Sequence, residues 1–240
     1  MGGRAQPPLF HAPSACYTRA MHISPYHAPD FFKDALAKGR HRDIVGGRWE
    51  ETGLIQMQIL LDQGLDPHHH LLDIGAGSLR LGCRAVPYLD AGHYWATDLS
   101  GDLMRAGHLS ELSAPARLQS DHLIEDAEFS FKGVPNTITH AIAFAVFTHL
   151  PMNHLRRALV SLRAACPRLQ KLMLTVFLAP EAAYLNPFRQ PDGVVTHAAR
   201  APYHMLRGDV EYLLVASGFV SEFPPTELPR GQQLIIARPA

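Results

Sequence analysis

Asp73, Gly75, Gly77 and Asp98 have types and spacing that could build a ligand site. The first three lie in Leu71-Leu72-Asp73-Ile74-Gly75-Ala76-Gly77-Ser78, an apolar run that ends in an acid and a glycine-rich turn. Glycine allows a sharp turn and a close backbone approach that any Cβ would obstruct. A carboxylate at Asp73 would sit beside a cationic group of the ligand, and a helix opening near Ser78 would aim free N–H groups at an anionic one. Asp98 ends the next apolar run, His93 to Asp98. On a neighbouring strand it would reach the same sheet edge, where a carboxylate can accept hydrogen bonds from both hydroxyls of a ribose. After His122-Leu123-Ile124, the segment Glu125-Asp126-Ala127 could offer a carboxylate to an adenine amino group.

Two nucleoside cofactors compete for such a site. A nicotinamide dinucleotide fingerprint needs glycine three positions after Gly77, where this chain has Arg80. Asp73 would also repel a pyrophosphate. S-Adenosylmethionine carries an ammonium and a sulfonium, which an acid at Asp73 would favour.

These residues need a sheet to hold them. Residues 71–75, 93–98, 138–145 and 171–179 are short apolar runs of buried-strand length. The stretches 79–89, 99–112 and 152–166 between them show helical spacing, with Pro87 at a kink or helix end. Strand alternating with helix predicts a parallel sheet covered on both faces. Upstream, a short helix is expected from Asp30 and a second from near Gly47 to Gly64. Residues 205–239 read as helix, strand, loop and strand. Pro7, Pro8, Pro13, Pro25 and Pro29 make residues 1 to about 30 an irregular arm.

The motif LLDIGAGS, the strand end TDLS and the segment AIAFAVFTHLP resemble the class I S-adenosylmethionine-dependent methyltransferases. The resemblance covers roughly residues 41 to 240, including the upstream DIVGGRWEETG and the terminal PRGQ. It implies a doubly wound α/β fold over residues 41–240: a seven-stranded, mostly parallel sheet with one reversed strand near the C-terminus and helices on both faces. Residues 1–40, ahead of the matched region, are expected to form an N-terminal arm and helical cover over the site. It also implies that Asp73, Gly75 and Gly77 line the methionine portion, that Asp98 binds ribose and that Asp126 with Ala127 flanks adenine. Phe144 and Ala145 match further cofactor-lining positions, and Ala76, Ser78, Arg80 and Leu99 are counted with them. Trp49 matches an aromatic that packs over the cofactor, although an ordinary core tryptophan is an equal reading. Departures from the pattern are Ala76 in place of a common cysteine, His140 in place of an acid and Ala145 in place of a small polar residue.

Methyl transfer needs positioning and exclusion of water, plus a base if the acceptor is a hydroxyl or thiol. His149, following the fourth strand run, is the candidate base because histidine titrates in the useful range. Its competing role is to brace the turn before Pro151. Tyr203, His204 and Arg230 are candidate acceptor-side residues, the arginine for an anionic acceptor. Their structural alternatives are a brace ahead of the following helix and a solvated loop. His68, His69 and His70 are not expected to bind metal, because consecutive side chains rarely converge and no partner acid or cysteine is suitably spaced.

The chain has 240 residues with Lys+Arg and Asp+Glu both at 22, so no charge excess points to nucleic acid or an anionic membrane. The balance favours a small, weakly charged substrate. Under the methyltransferase resemblance the expectation is methyl transfer to oxygen or nitrogen of such a molecule, with natural-product metabolism as its setting. Three widely separated cysteines and no long apolar run suggest a reducing cytoplasm. The rival readings are a cofactor-binding module without catalysis and a nicotinamide oxidoreductase.

Overall fold

In the computed structural model the described residues are 23–28 and 30–240. Most of the expected proline-rich arm, with Cys16, therefore lies outside them. Six α-helices and ten strands follow in chain order among the described residues: α1 (Phe31–Ala37), α2 (Trp49–Asp62), β1 (Leu71–Ile74), α3 (Gly82–Tyr88), β2 (Tyr94–Asp98), α4 (Gly101–Ser110), β3 (Leu123–Glu125), β4 (His140–Ala143), α5 (Met152–Ala165), β5 (Lys171–Leu178), β6 (Phe188–Arg189), β7 (Val195–Thr196), β8 (His204–Met205), α6 (Arg207–Ala216), β9 (Phe219–Glu222) and β10 (Gln233–Pro239).

The main sheet runs β3-β2-β1-β4-β5-β10-β9, with β10 antiparallel to both its neighbours and the other pairings parallel. This is the expected seven-stranded sheet with one reversed strand. The two-residue β8 adds beside the end of β5, and β6 pairs with β7 as a separate hairpin.

Side-chain alternation along the strands divides the core in two. Leu72, Ala141, Leu172, Leu174 and Ile235 face α5 and α6, where they meet Leu155, Leu159 and Leu214. Leu71, Ala96, Ile142, Met173 and Ile236 face α2, α3 and α4, meeting Leu60, Val86 and Met104. Burial on both faces explains why these runs read as almost uninterrupted apolar sequence.

The turn after β1 is held by β2. Gly75 N–H and Ala76 N–H both donate to Thr97 O, at 2.7 and 3.1 Å, and Gly77 N–H donates to Asp98 Oδ2 at 2.9 Å. Gly75 and Gly77 adopt φ of 70° and 57°, the left-handed region that favours glycine. Leu79 also turns left-handed, at φ 63°. The helix expected near Ser78 therefore starts only at Gly82, and Pro87 falls in its last turn. Likewise the strand expected over 138–145 is confined to His140–Ala143, because Ala145 leaves the sheet at φ 60°.

Helix α4 approaches this turn through Gly107, where an added Cβ would lie 2.1 Å from the Ser78 carbonyl oxygen. Gly107→Ala should therefore push α4 away from the turn and destabilise the chain by about 1–3 kcal/mol, the usual cost of overpacking. Denaturant unfolding would check this, and an unchanged midpoint would show that the turn yields freely.

Candidate active site

The C-terminal strand ends border a cavity of about 230 Å³. Its floor is the turn residues Gly75, Ala76 and Gly77, with Asp98 and Leu99 from the end of β2. Asp126 and Ala127 after β3, and Phe144 and Ala145 after β4, complete one side. His149 and Arg230 line it together with residues of the N-terminal segment, among them Tyr26, Phe32 and Val45. Ligands of open α/β sheets bind at this place, outside the carboxyl ends of the strands where the strand order reverses.

The sequence matches no family model and no curated protein sequence. Solved structures do resemble the fold. Magnesium protoporphyrin IX methyltransferase from Synechocystis PCC 6803, solved with bound S-adenosylmethionine, superimposes with a TM-score of 0.55 at 14% identity, over 89% of this chain and 86% of that one. The glycopeptide N-methyltransferase MtfA gives 0.54 at 17% identity, over 81% and 92%. The pyocyanin biosynthetic protein PhzM gives 0.54 at 19% identity, over 90% and 60%. This chain has the class I methyltransferase fold.

Within that methyltransferase fold, Asp98 is the best-placed polar residue. It is 9% exposed and lines the cavity. Oδ2 accepts from Gly77 N–H at 2.9 Å and Oδ1 from Ser100 N–H at 3.0 Å. Burial raises its pKa, while the backbone N–H groups of Gly77, Ser100 and Leu99 oppose that rise. Each oxygen keeps a lone pair for a ligand hydroxyl. Asp126 is more committed: its carboxylate accepts from the N–H groups of Glu128 and Ser130, both at 3.1 Å, and of Phe131 at 2.7 Å. It shapes the loop that forms the cavity wall.

Asp73 lies one layer behind the wall. It is 2% exposed, is absent from the cavity lining, and accepts the Tyr94 hydroxyl at 2.6 Å. Its carboxyl forms a buried pair beneath the turn and does not line the cavity. Ser78 is also behind the wall, its hydroxyl donating to His41 O at 3.1 Å. Arg80 does line the cavity, and its guanidinium donates to Val45 O at 3.0 Å and Gly47 O at 3.2 Å. It fastens the loop before α2 over the glycine turn, where Val45 Cγ1 would lie 2.7 Å from a Cβ on Gly77.

Three expected site residues lie elsewhere. Trp49 borders a separate shallow polar depression and stacks under Arg42, whose guanidinium carbon is 5.1 Å from the ring centre. Tyr203 is buried, and its hydroxyl donates to Ile23 O at 2.9 Å. His204 is held between Thr196 Oγ1 at 2.9 Å and Tyr184 O at 2.8 Å. Tyr203 anchors the N-terminal segment that brings Tyr26 to the cavity, whereas His204 ties together the 184–204 region. Arg230 lines the cavity while donating to Gly46 O at 3.0 Å, so it too pins the cover.

His149 is half-buried at the cavity, with the Tyr26 ring edge-on at 5.1 Å between centres. Burial, then the nearby Arg230 charge, pushes its pKa down to about 4. The imidazole is therefore neutral throughout the physiological range instead of titrating within it. Tyr26 is the residue that motif reading missed. It has no chemical motif around it, and the segment that carries it is anchored by the Tyr203–Ile23 hydrogen bond, which joins residues 180 positions apart.

Burial raises the Asp73 carboxyl from 3.8 to about 7, against the opposing effects of the Tyr94 hydrogen bond and Arg80. The folded chain then keeps a proton that the unfolded chain releases between those values. Its stabilising contribution is full below 3.8 and is lost as pH rises through about 7. Asp73→Asn should accordingly gain stability relative to the unsubstituted chain as pH rises from about 4 to about 7. Parallel stability profiles in denaturant titrations across that range would show Asp73 to be ionised throughout.

Proposed function

We propose that this chain is an S-adenosylmethionine-dependent methyltransferase acting on oxygen or nitrogen of a small molecule, with S-adenosylhomocysteine as product. The observation that carries this reading is the placement of Asp98. A buried carboxylate, oriented by two backbone donors, meets the glycine turn at the strand-end cavity of a methyltransferase fold. The donor set fits the cofactor: Asp98 would accept the ribose hydroxyls, Leu99 and Phe144 offer apolar surface, and Asp126 with Ala127 borders the far wall. Gly75, Ala76 and Gly77 would support the amino-acid portion, with Asp73 and Arg80 setting the charge beneath and beside them. Bound there, the cofactor would supply a methyl group activated by its sulfonium.

The chain's own contribution is placement and dryness. Tyr26, Phe32 and Val45 close the cavity from the N-terminal side, and residues 1–40 are read as its cover. His149 lines the cavity as a neutral imidazole; its lowered pKa makes it a weak base, so it would take the proton of a hydroxyl or amine acceptor only as the incoming methyl group makes that proton strongly acidic. Arg230 offers a positive charge to an anionic acceptor. Natural-product metabolism is supported by the names of two neighbours, a glycopeptide N-methyltransferase and a pyocyanin biosynthetic protein. A cytoplasmic setting is supported by the free thiols Cys83 and Cys166. Among the described residues no helix is long and apolar enough to cross a membrane.

Asp98→Ala should weaken S-adenosylmethionine binding through the loss of charged-acceptor hydrogen bonds worth about 1.5–3 kcal/mol each. Calorimetry on the folded variant checks this, and unchanged affinity would remove Asp98 from the ribose site. His149→Ala should lower the methylation rate by about 10²–10⁴-fold, with cofactor affinity nearly constant. The unsubstituted enzyme should show a rate independent of pH near neutrality that falls only as pH drops toward about 4, where the imidazole protonates. A near-normal turnover number in folded His149→Ala, at saturating acceptor, would leave positioning as the whole of its role. No methyl transfer to any of a broad panel of acceptors, with cofactor binding intact, would favour a binding module.

A further inference from the structure

The His68-His69-His70 run lies in the loop joining α2 to β1, before the first strand and therefore at the sheet edge opposite the cavity. Sequence spacing argues against a metal there, for want of a partner acid. The fold corrects that premise. Asp66 N–H donates to His69 Nδ1 at 2.9 Å, and His69 N–H donates back to Asp66 O at 3.0 Å, closing a turn around Pro67. One ligand atom each from Asp66, His68 and His69 thereby comes within 4.8 Å of the others. His70 leaves the group, stacking on His93 with 3.9 Å between ring centres.

We propose that Asp66, His68 and His69 form a surface site for one divalent transition-metal ion of the zinc type. Two imidazoles and a carboxylate match the nitrogen and oxygen donors that such ions take, with water completing the shell. Calcium and magnesium would want an all-oxygen set instead. Asp66 and His68 are exposed and open to solvent, whereas His69 is half-buried with its ring 4.5 Å from that of the buried His140. That packing limits the freedom that His69 would lose on binding.

Two features oppose the ion and make the site weaker than a four-ligand structural zinc centre. Binding through Nδ1 takes the lone pair that Asp66 N–H now uses, and binding through Nε2 moves the ring proton to Nδ1, so either route breaks that hydrogen bond. The Lys171 ammonium, which donates to Gln63 O, also stands near His69. An occupied site would clip the loop that follows α2, the helix carrying Thr52 and Gln56 to the cavity.

The test uses the full chain after chelator treatment, titrated near neutral pH with Zn²⁺ by calorimetry and with Co²⁺ by visible absorption. One saturable ion is expected, with a rise in unfolding temperature. Asp66→Asn and His68→Gln should each weaken uptake by about 10–100-fold, the loss that even outer-sphere partners of a metal produce. His93→Gln should leave uptake unchanged. Because Asp66 and His68 are exposed, both variants should unfold without metal as the unsubstituted chain does, which confirms that they fold. Absence of saturable uptake would overturn the proposal. So would uptake that survives the His68→Gln/His69→Gln double substitution, or that is lost in His93→Gln.

Discussion

The C-terminal end of β2 accepts three backbone N–H groups from the turn after β1, and most of the cavity is arranged around that attachment. Thr97 O takes two of them and Asp98 Oδ2 the third. A turn with two glycines in left-handed conformation has little intrinsic preference for one shape, so its geometry is borrowed from the neighbouring strand. The same hydrogen bond that fixes Gly77 also orients the Asp98 carboxylate. Floor and binding group are thus set by one contact. Gly107 then lets α4 come close enough to the Ser78 carbonyl to lock the turn from outside.

Charge is segregated around the cavity in a way that suits a nucleoside bearing an amino-acid end. Asp98 and Asp126 stand on the wall after β2 and β3, each oriented by backbone donors. Arg80 and Arg230 stand toward the N-terminal cover, bonded to Val45 O and Gly46 O of the loop before α2. Because backbone carbonyls hold these guanidinium groups, they are positioned without being neutralised by carboxylates. Asp73 lies below, its charge disfavoured by burial.

The cover is a second construction laid over the first. Tyr203 to Ile23, Arg80 to Val45 and Gly47, and Arg230 to Gly46 are its fastenings. All are hydrogen bonds to main-chain carbonyls, so they constrain the path of the segment more than its side chains. Tyr26 and Phe32 are carried into place by that path and give the cavity an apolar, aromatic side. The low pKa of His149 is a consequence of this closure, since burial is its leading cause.

Strand runs with apolar residues on both faces made the parallel sheet legible in the sequence, the family resemblance supplied its reversed strand, and an acid followed by spaced glycines marked the strand-end turn where Gly75, Gly77 and Asp98 line the cavity. Those features are local, because a buried strand and a glycine turn need particular residue types within a few positions. The fate of Asp73 and Ser78 was not legible. Whether a side chain at a strand end faces the cavity or the core depends on Tyr94 from the next strand and on the left-handed Leu79. Trp49, Tyr203 and His204 matched a motif yet face Arg42, Ile23 and Thr196, because helix rotation and loop packing aim a side chain and neither is encoded in spacing. Tyr26 and Asp66 carried no motif at all. Tertiary structure alone decided their neighbours, one through a hydrogen bond spanning most of the chain and the other through a turn that folds a carboxylate back onto two histidines.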